Sequence, residues 1–302
     1  MIVARNVAEL PQRERTVAIG SFDGVHRGHQ HVLERARSVG GTTTVVTFWP
    51  HPRLVLGNHV ELLASLERRL ELLETDGGVD EVLVVEFTPE VADLEPAEFA
   101  DTVLRRIGAT TVVVGENFRF GRAAAGDGVL LEQLGFDCLL VPLLEGVSSS
   151  RIRALLREGD VVAAAPLLGR PAEIEGVVVL GDQRGGTLGF PTANLAVPPD
   201  LLVPAYGIYA GFARGHRAAI SIGVNPHYGG EERRIEPYLL EFEGDLYGQR
   251  LVVELWRRLR DERAFASEEE LVAQIARDVE ETRVAERPVR GILGRPGASN
   301  ES

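Results

Sequence analysis

The fold of the first half is decided by the stretch Gly20-Ser21-Phe22-Asp23-Gly24-Val25-His26-Arg27-Gly28-His29. It follows a short β-branched run at residues 16–19 and leads directly into a helical pattern over 29–39. A strand, a glycine-rich turn and a helix N-terminus form an anion site, because free backbone N–H groups and the helix dipole point at the ligand. The stretch therefore predicts a phosphate-binding site.

Two histidines flank a glycine at this junction. Gly28 lets a phosphate approach the backbone, while His26 and His29 can hydrogen-bond a reacting triphosphate and stabilise charge that builds in the transition state. No covalent intermediate is required. Surface histidines in a turn are the alternative interpretation, which the junction makes the weaker one. The nucleotide-binding residues predicted from the turn itself are Gly20, Phe22, Asp23 and Gly28.

The rest of the first half repeats this alternation of strand-like runs and helical patterns. Short β-branched runs at 43–48, 82–87, 110–114 and 138–141 are separated by helical patterns at 29–39, 66–74 and 96–107. Alternating strands and helices of this kind are typical of βαβ units in a parallel sheet that is buried on both faces. We predict an α/β, doubly wound domain over residues 1–168.

The pattern changes in the second half. Helical segments at 149–157 and 161–168 lead into strand-like runs at 174–180, 208–213, 218–222, 235–242 and 251–259, which have little helix between them. Such a series predicts antiparallel strands that close into a small β-barrel over 169–288. A terminal helix is predicted from Ser267, which would cap it. The tail over 289–302, rich in Gly, Pro and Arg, is predicted to be disordered.

A second glycine-rich stretch follows the first predicted strand of the barrel and runs from Gly181 through Phe190-Pro191-Thr192-Ala193-Asn194. Its glycines free the backbone to fold around phosphates, and Thr192 and Asn194 stand on alternate positions of an extended segment, so both can face one ligand. Oxygen donors of this kind suit Mg²⁺ carrying waters and nucleotide phosphates. A plain turn is the alternative. The predicted phosphate-binding residues are Gly181, Arg184, Gly186 and Gly189, and the predicted metal ligands are Thr192 and Asn194.

Composition narrows the function classes. The chain has 302 residues, 25% of them charged, and a net charge of −13, which argues against nucleic-acid binding. The sequence contains no lysine, so a lysine nucleophile, a Schiff base and a P-loop lysine are excluded. Cys138 stands alone and is expected to be a buried small hydrophobe. With no apolar run of about 18 residues and no signal-like start, we predict a cytoplasmic protein without membrane contact.

The His-x-Gly-His motif resembles that of the nucleotidylyltransferase superfamily, and further segments resemble its prokaryotic bifunctional riboflavin kinase/FAD synthetases. These segments are Thr47-Phe48-Trp49-Pro50-His51-Pro52-Arg53, Gly115-Glu116-Asn117-Phe118-Arg119-Phe120-Gly121 and Ser148-Ser149-Ser150-Arg151-Ile152-Arg153. Ser150 replaces the usual Thr and keeps the hydroxyl. Such serines before a helix, with Arg151, suit ATP β/γ-phosphates as pyrophosphate leaves; Ser149 could merely cap the helix. His51 is expected to be structural.

The resemblance implies flavin or adenine contacts in the loop after the fourth predicted strand. Phe118 and Phe120 could stack on an aromatic ring, and Asn117 could contact flavin or ribose. The alternative is that Phe118 and Phe120 both belong to the core and that Asn117 is only a turn residue.

In the second half, Leu188-Gly189-Phe190-Pro191-Thr192-Ala193-Asn194 resembles the riboflavin kinase signature, in which Thr and Asn hold MgATP. A kinase acting on an alcohol needs a carboxylate to take the proton, and Glu236 lies where the family places that base. Asp245-Leu246-Tyr247-Gly248 is also similar. Asn225-Pro226-His227-Tyr228 departs from the usual Asn-Pro-Thr-Phe, which puts the local flavin-loop geometry in doubt. His227 could be a new contact or only a loop residue, and the loop residue is the favoured interpretation.

The resemblance implies an enzyme that uses ATP and Mg²⁺ to phosphorylate riboflavin to FMN and to adenylylate FMN to FAD. The alternatives are a chain with one inactive half and a flavin or nucleotide sensor without turnover. Intact motifs in both halves favour the bifunctional enzyme. Whether the chain forms a homo-oligomer stays open.

Overall fold

The computed structural model describes residues 1–181, 190–224 and 233–288. Within it the chain forms two compact units that divide between Ser149 and Ser150. The predicted tail at 289–302 and eight of the residues named above lie outside the described residues. The eight are Arg184, Gly186, Leu188, Gly189, Asn225, Pro226, His227 and Tyr228.

The first unit is built on a six-stranded parallel sheet in the order β1-β4-β3-β2-β5-β6. The strands are β1 (Ile2–Ala4), β2 (Arg15–Ile19), β3 (Thr42–Trp49), β4 (Glu81–Glu86), β5 (Ala109–Gly115) and β6 (Asp137–Val141). The helices of this unit are α1 (Arg27–Val39), α2 (Pro52–Val55), α3 (Leu66–Thr75), α4 (Pro89–Ala92), α5 (Pro96–Phe99), which continues as a π-helical segment (Ala100–Arg105), and α6 (Gly128–Gln133). Short 3₁₀ turns lie at Val7–Glu9, Asp23–Val25 and Arg122–Ala124.

Both faces of this sheet are buried. In the central strand β5, Val112 and Val114 pack into one core with Leu104, whereas Val113 packs into the other with Leu33. Because successive strand residues point to opposite faces, a run of β-branched residues fills both cores at once. The doubly wound sheet predicted from these runs is confirmed.

The strand order reverses between β2 and β5, which are neighbours in the sheet but distant in sequence. Ligands of open α/β sheets bind in the crevice outside the carboxyl ends of the strands at such a switch point. The turn at 20–29 follows β2, and the loop at 115–121 follows β5. The topology therefore places these two predicted site segments at one edge of the sheet.

The second unit contains a six-stranded antiparallel sheet in the order β11-β10-β9-β12-β7-β8. Its strands are β7 (Ala172–Val179), β8 (Asn194–Ala196), β9 (Gly207–Ala213), β10 (His216–Val224), β11 (Arg233–Leu239) and β12 (Arg250–Arg260). The two edge strands approach each other, since the backbone N–H of Ala193 donates to the carbonyl of Pro237 at 3.0 Å. The result is the predicted, nearly closed barrel.

Within the described ranges, three helices accompany the barrel: α7 (Ser149–Glu158), α8 (Val161–Leu168) and α9 (Glu268–Val284). The Ser267 hydroxyl accepts the Glu270 N–H at 3.3 Å and caps α9, as the sequence predicts. At the other end of α9 the Arg217 guanidinium donates to the carbonyls of Thr282 and Ala285 at 3.0 and 2.6 Å, the favourable placement of a cation at a helix C-terminus. No helix in the described ranges is long and apolar enough to cross a membrane.

Helices α7 and α8 are held by barrel residues. The Ala205 N–H donates to the Leu156 carbonyl at 3.1 Å, and a Cβ on Gly159 would stand 3.0 Å from the hydroxyl of Tyr209. The sequence prediction divided the domains at 168/169, between these helices and the barrel. That boundary stays a prediction.

Candidate functional site

The first candidate site is the turn between β2 and α1. His26 is the N-cap of α1, and its Nδ1 accepts the backbone N–H of His29 at 3.4 Å. The two imidazole rings stack with centroids 3.7 Å apart and planes inclined by 14°. The structure thus brings His26 and His29 together at a helix N-terminus, where an anion is favoured.

The glycines of this turn are sterically restricted. A Cβ on Gly28 would lie 3.2 Å from Cε1 of His26 and 3.8 Å from Cγ1 of Val147. A Cβ on Gly20 would lie 3.2 Å from the ring of Phe22. Val147 precedes Ser148, so the segment that leads to the predicted Ser148–Arg151 site passes against Gly28.

Phe22 and Asp23 are both about 1% exposed, so neither presents its side chain at the surface. The Phe22 ring meets the His29 ring edge-on at 5.2 Å. The Asp23 carboxylate accepts the backbone N–H groups of Leu63 and Ala64 at 3.0 and 3.3 Å. These contacts hold both side chains inside the fold, and the nucleotide contacts predicted for Phe22 and Asp23 stay predictions.

The loop after β5 divides its predicted ligands. Asn117 is exposed and Phe118 is half-buried, whereas Phe120 is buried and packs with Phe99. The rings of Phe118 and Phe120 lie parallel with centroids 5.6 Å apart. Phe120 is therefore a core residue that packs on Phe118, and Phe118 is the more exposed of the two rings.

The serine segment straddles the division between the compact units. Ser148 is exposed, α7 begins at Ser149, and exposed Ser150 and Arg151 lie on its first turn. Ser148 therefore stands immediately before the first residue of α7. His51 is buried, and its Nδ1 caps α2 by accepting the Arg53 N–H at 3.2 Å, which agrees with the structural role expected for it.

A buried arginine near the first site was missed from the sequence. Arg69 is fully buried, and its Nη2 lies 4.0 Å from the Asp23 carboxylate. Burial lowers the pKa of Arg69, and the charge of Asp23 opposes that shift. The available signal was its position in α3, where it shares the buried face with Leu66, Leu72 and Leu73. A charged residue on an apolar helix stripe is the feature that needed explanation.

Cys138 is buried, as predicted, and burial raises the pKa of its thiol to about 11. The thiol is therefore protonated at neutral pH and is a poor nucleophile.

The second candidate site lies at the seam of the barrel, between edge strands β8 and β11. Asn194 pairs with Val179 at the end of β7, which brings its side chain onto Gly181. A Cβ on Gly181 would stand only 2.0 Å from Asn194 Nδ2 and 2.2 Å from its Cγ. The Asn194 amide thus fills the space that any other residue at 181 would need.

Glu236 lies on the opposite edge of the same seam. It precedes Pro237, whose carbonyl accepts the N–H of Ala193, the residue between Thr192 and Asn194. Glu236 is half-exposed, and Arg234, two residues earlier on the same strand face, approaches its carboxylate to 3.9 Å. Phe190 packs edge-on against Tyr238 at 5.5 Å. The structure therefore brings the predicted base and both predicted metal ligands to one seam.

The described residues of this seam border two cavities. A cavity of about 800 Å³ is bounded by Tyr206, Arg233 and Arg234, and one of about 210 Å³ is bounded by Thr192 and Pro237, among others. Gly181 and Asn194 border both. A cavity of several hundred Å³ with a few polar groups is typical of a small-molecule site.

The donors at the seam fit Mg²⁺ that arrives with a nucleotide. Among the described residues there is no cluster of three or more His, Cys, Asp or Glu side chains that could hold a metal alone. Thr192 and Asn194 offer a hydroxyl and an amide oxygen, and Mg²⁺ commonly takes few protein ligands while keeping water and phosphate oxygens. The space kept open by Gly181 holds the Asn194 amide at this position.

Two models of known protein families match separate parts of the chain. The FAD synthetase family model matches residues 9–151, and the riboflavin kinase model matches residues 168–285. Proteins described as bifunctional riboflavin kinase/FMN adenylyltransferase match almost the whole chain. That of Listeria monocytogenes is 35% identical and covers 89% of this chain and 91% of its own; that of Escherichia coli K12 is 36% identical and covers 90% and 93%.

A solved structure has the same architecture. A Streptococcus pneumoniae protein described as a macrolide-efflux protein superimposes with a TM-score of 0.84 at 31% identity, covering 94% of this chain and 99% of that one.

Proposed function

The chain belongs to the bifunctional riboflavin kinase/FMN adenylyltransferases, enzymes that make FMN and FAD, and from this premise we propose which residues serve each reaction. The first unit adenylylates FMN at the β2–α1 turn. The barrel phosphorylates riboflavin at the seam between β8 and β11. ATP serves both steps, as the family implies, and we propose that Mg²⁺ accompanies it.

The observation that carries the kinase assignment is the position of Asn194. It borders both cavities and lies beside the strand that holds Glu236. If each cavity receives one substrate, the phosphoryl group passes where the cavities meet. Thr192 and Asn194 would hold Mg²⁺, which neutralises phosphate charge when bound.

Glu236 acts as the general base of the kinase. Its carboxylate accepts the proton of the riboflavin primary hydroxyl as the hydroxyl oxygen attacks the γ-phosphorus of ATP and ADP leaves. Gly181, with Arg184, Gly186 and Gly189 of the same stretch, would surround the phosphates. The half-exposed position of Glu236 at the seam gives a substrate hydroxyl access to it.

In the first unit, His26 and His29 donate hydrogen bonds to the triphosphate while an FMN phosphate oxygen attacks the α-phosphorus and pyrophosphate leaves. Gly20 and Gly28 allow the phosphates to approach the backbone. Ser148, Ser149, Ser150 and Arg151 would bind the leaving pyrophosphate, and Asn117 and Phe118 would contact a flavin or adenine ring. We propose that this chemistry takes place in the cytoplasm.

Two variants of the full chain test the assignment. Glu236→Gln should abolish conversion of riboflavin to FMN while supplied FMN still becomes FAD, and His29→Ala should lower FAD formation by about 10²-fold or more while FMN formation continues. Each variant is incubated with ATP and Mg²⁺, and the flavins are separated by chromatography. Kinase activity of Glu236→Gln within a few-fold of wild type, or parallel loss of both activities in either variant, would contradict the assignment.

A further inference from the structure

The turn that presents the two histidines is conformationally unusual. Phe22, Gly24 and Val25 have φ of 49°, 75° and 38°. A left-handed φ is uncommon for a non-glycine residue, and for a β-branched one it is a genuine outlier. Such conformations persist only where the surrounding structure over-determines them, and they cluster at functional sites. Something must therefore hold this turn immediately before His26.

The Asp23 carboxylate is one restraint. Its Oδ1 accepts from Leu63 N at 3.0 Å and from Ala64 N at 3.3 Å, and its Oδ2 also lies 3.1 Å from Leu63 N. The turn also fits closely against Leu63, because a Cβ on Gly24 would stand 2.8 Å from the Leu63 Cβ. The turn is thus fixed to the segment that leads into α3.

Arg69 is the second restraint, and its guanidinium lies beside the Asp23 carboxylate. Its Nη1 donates to the carbonyl of Phe48 at 3.2 Å, and its guanidinium lies over the Trp49 ring at 5.4 Å from the centroid. Its Nε and Nη2 make no hydrogen bond within the described ranges. The charge on Nη2 is therefore compensated mainly by Asp23, 4.0 Å away. Removing one member of a buried ion pair leaves the other uncompensated.

We propose that Asp23 and Arg69 are positioning residues for adenylyl transfer: a buried ion pair that ties the strained turn to the end of β3 and to the start of α3. The turn positions His29 through the contact of the Phe22 ring with the His29 ring, and it positions His26 because His26 directly follows it in the backbone. Neither residue touches substrate. The inference rests on the proposed role of His26 and His29, and it replaces the nucleotide contact predicted for Asp23.

The test is the steady-state rate of FAD formation by full-length Asp23→Asn and Arg69→Lys from supplied FMN and ATP. Because misplacement of about 1 Å can cost 10²-fold in rate, we expect Asp23→Asn to lower kcat by about 10- to 100-fold. The KM for ATP should change much less, since an interaction acting in the transition state affects kcat. Arg69→Lys keeps the charge but not the planar group, so it should lose less. FMN formation at the barrel is the control for an intact protein.

Arg15→Met is the matched control. Arg15 is another fully buried arginine of the first unit, but it lies on β2 and pairs with Glu81 at 2.7 Å at the amino ends of the strands. We expect it to lower the melting temperature and to leave kcat for FAD formation within a few-fold of wild type below the transition. An equal loss of kcat in Arg15→Met would show that the effect is general destabilisation and would overturn the proposal.

Other outcomes are also decisive. If kcat of Asp23→Asn stays within threefold of wild type, the positioning pair is refuted. If Asp23→Asn melts below the assay temperature, Arg69→Met, which removes the charge, decides instead, and an unchanged kcat there refutes the pair. His29→Ala is measured in parallel: full activity of His29→Ala contradicts the proposed function, whereas loss in His29→Ala with an unaffected Asp23→Asn contradicts only the inference about Asp23 and Arg69.

Discussion

Substituting Gly181 with alanine should disable the kinase without unfolding the barrel. The added methyl would stand 2.0 Å from Asn194 Nδ2, 2.2 Å from Cγ and 2.5 Å from Oδ1. Since ordinary contacts begin near 3.4 Å, the Asn194 amide must move by about 1 to 1.5 Å. A displacement of about 1 Å in a positioning group can cost 10²-fold. We therefore expect FMN formation by Gly181→Ala to fall by about that factor.

The assay is the initial rate of FMN formation from riboflavin, with FAD formation from supplied FMN as the internal control. Gly215→Ala is the matched variant, because it lies in the same barrel, and a Cβ there meets nothing within 4 Å. Its φ of 89° makes it the more strained backbone position, so it should lose stability but keep kinase activity.

A double-mutant cycle identifies the cause. If the methyl acts by displacing Asn194, the combination with Asn194→Ala removes the collision, and the double variant should be no slower than Asn194→Ala alone. Two results would refute the reasoning. One is FMN formation by Gly181→Ala within threefold of wild type; the other is additive losses in the double variant, which would mean that residue 181 acts independently of the amide.

Three further predictions concern stability, domain limits and metal. Burial raises the pKa of Glu81, but hydrogen bonds from neighbours including Arg15 outweigh it, so the folded pKa lies below its ordinary value. This stabilisation is therefore present at pH values above the unfolded-state pKa and is lost as the pH falls through the folded-state pKa. At neutral pH, Glu81→Gln should lower the free energy of unfolding, measured with urea, by about 3–5 kcal/mol. If the difference between wild type and Glu81→Gln does not narrow in acid, the prediction is wrong. A fragment of residues 150–288 should make FMN, and its melting temperature, measured by circular dichroism, should exceed that of a fragment of residues 169–288, because α7 and α8 pack on the barrel. Equal melting temperatures would be inconsistent with that packing. Chelation should stop FMN formation until Mg²⁺ is restored, and Asn194→Ala should need more Mg²⁺ in a titration; an unchanged requirement would exclude Asn194 as a ligand.

Much of the fold could be predicted because each strand carries a local pattern. The β-branched runs predicted the strands of the first sheet from β2 to β6, since residues such as Val112, Val113 and Val114 must fill both cores. The sequence missed β1 and β8 (Asn194–Ala196), which have three residues each. Three residues show no period, so their pairing with β4 and β7 could be seen only in the folded sheets.

The candidate site was predictable as far as its residues are adjacent in sequence. His26, Gly28 and His29 share one motif, and the helix N-terminus brings them together. Arg69 lies 40 or more residues from this motif, and its contact with Asp23 depends on the packing of α3 against the turn. The same holds for Phe120, whose place in the core depends on Phe99. A motif predicts which functional groups lie near one another in sequence, whereas packing between distant segments determines which of those side chains are exposed.

The barrel seam shows why the two kinase motifs must meet where they do. Within a sheet, each interior strand uses its backbone donors and acceptors on two neighbours, but an edge strand keeps one side free. Asn194 begins one edge strand and Glu236 lies on the other. Among the hydrogen bonds of the described residues, the one from Ala193 N to Pro237 O joins these edges. A full ladder here would bring the strands together along their length and close the two cavities that flank Asn194. The incomplete closure of the barrel therefore leaves two cavities beside Asn194. The motifs lie on its edges, where we propose that both substrates reach the metal ligands and the base.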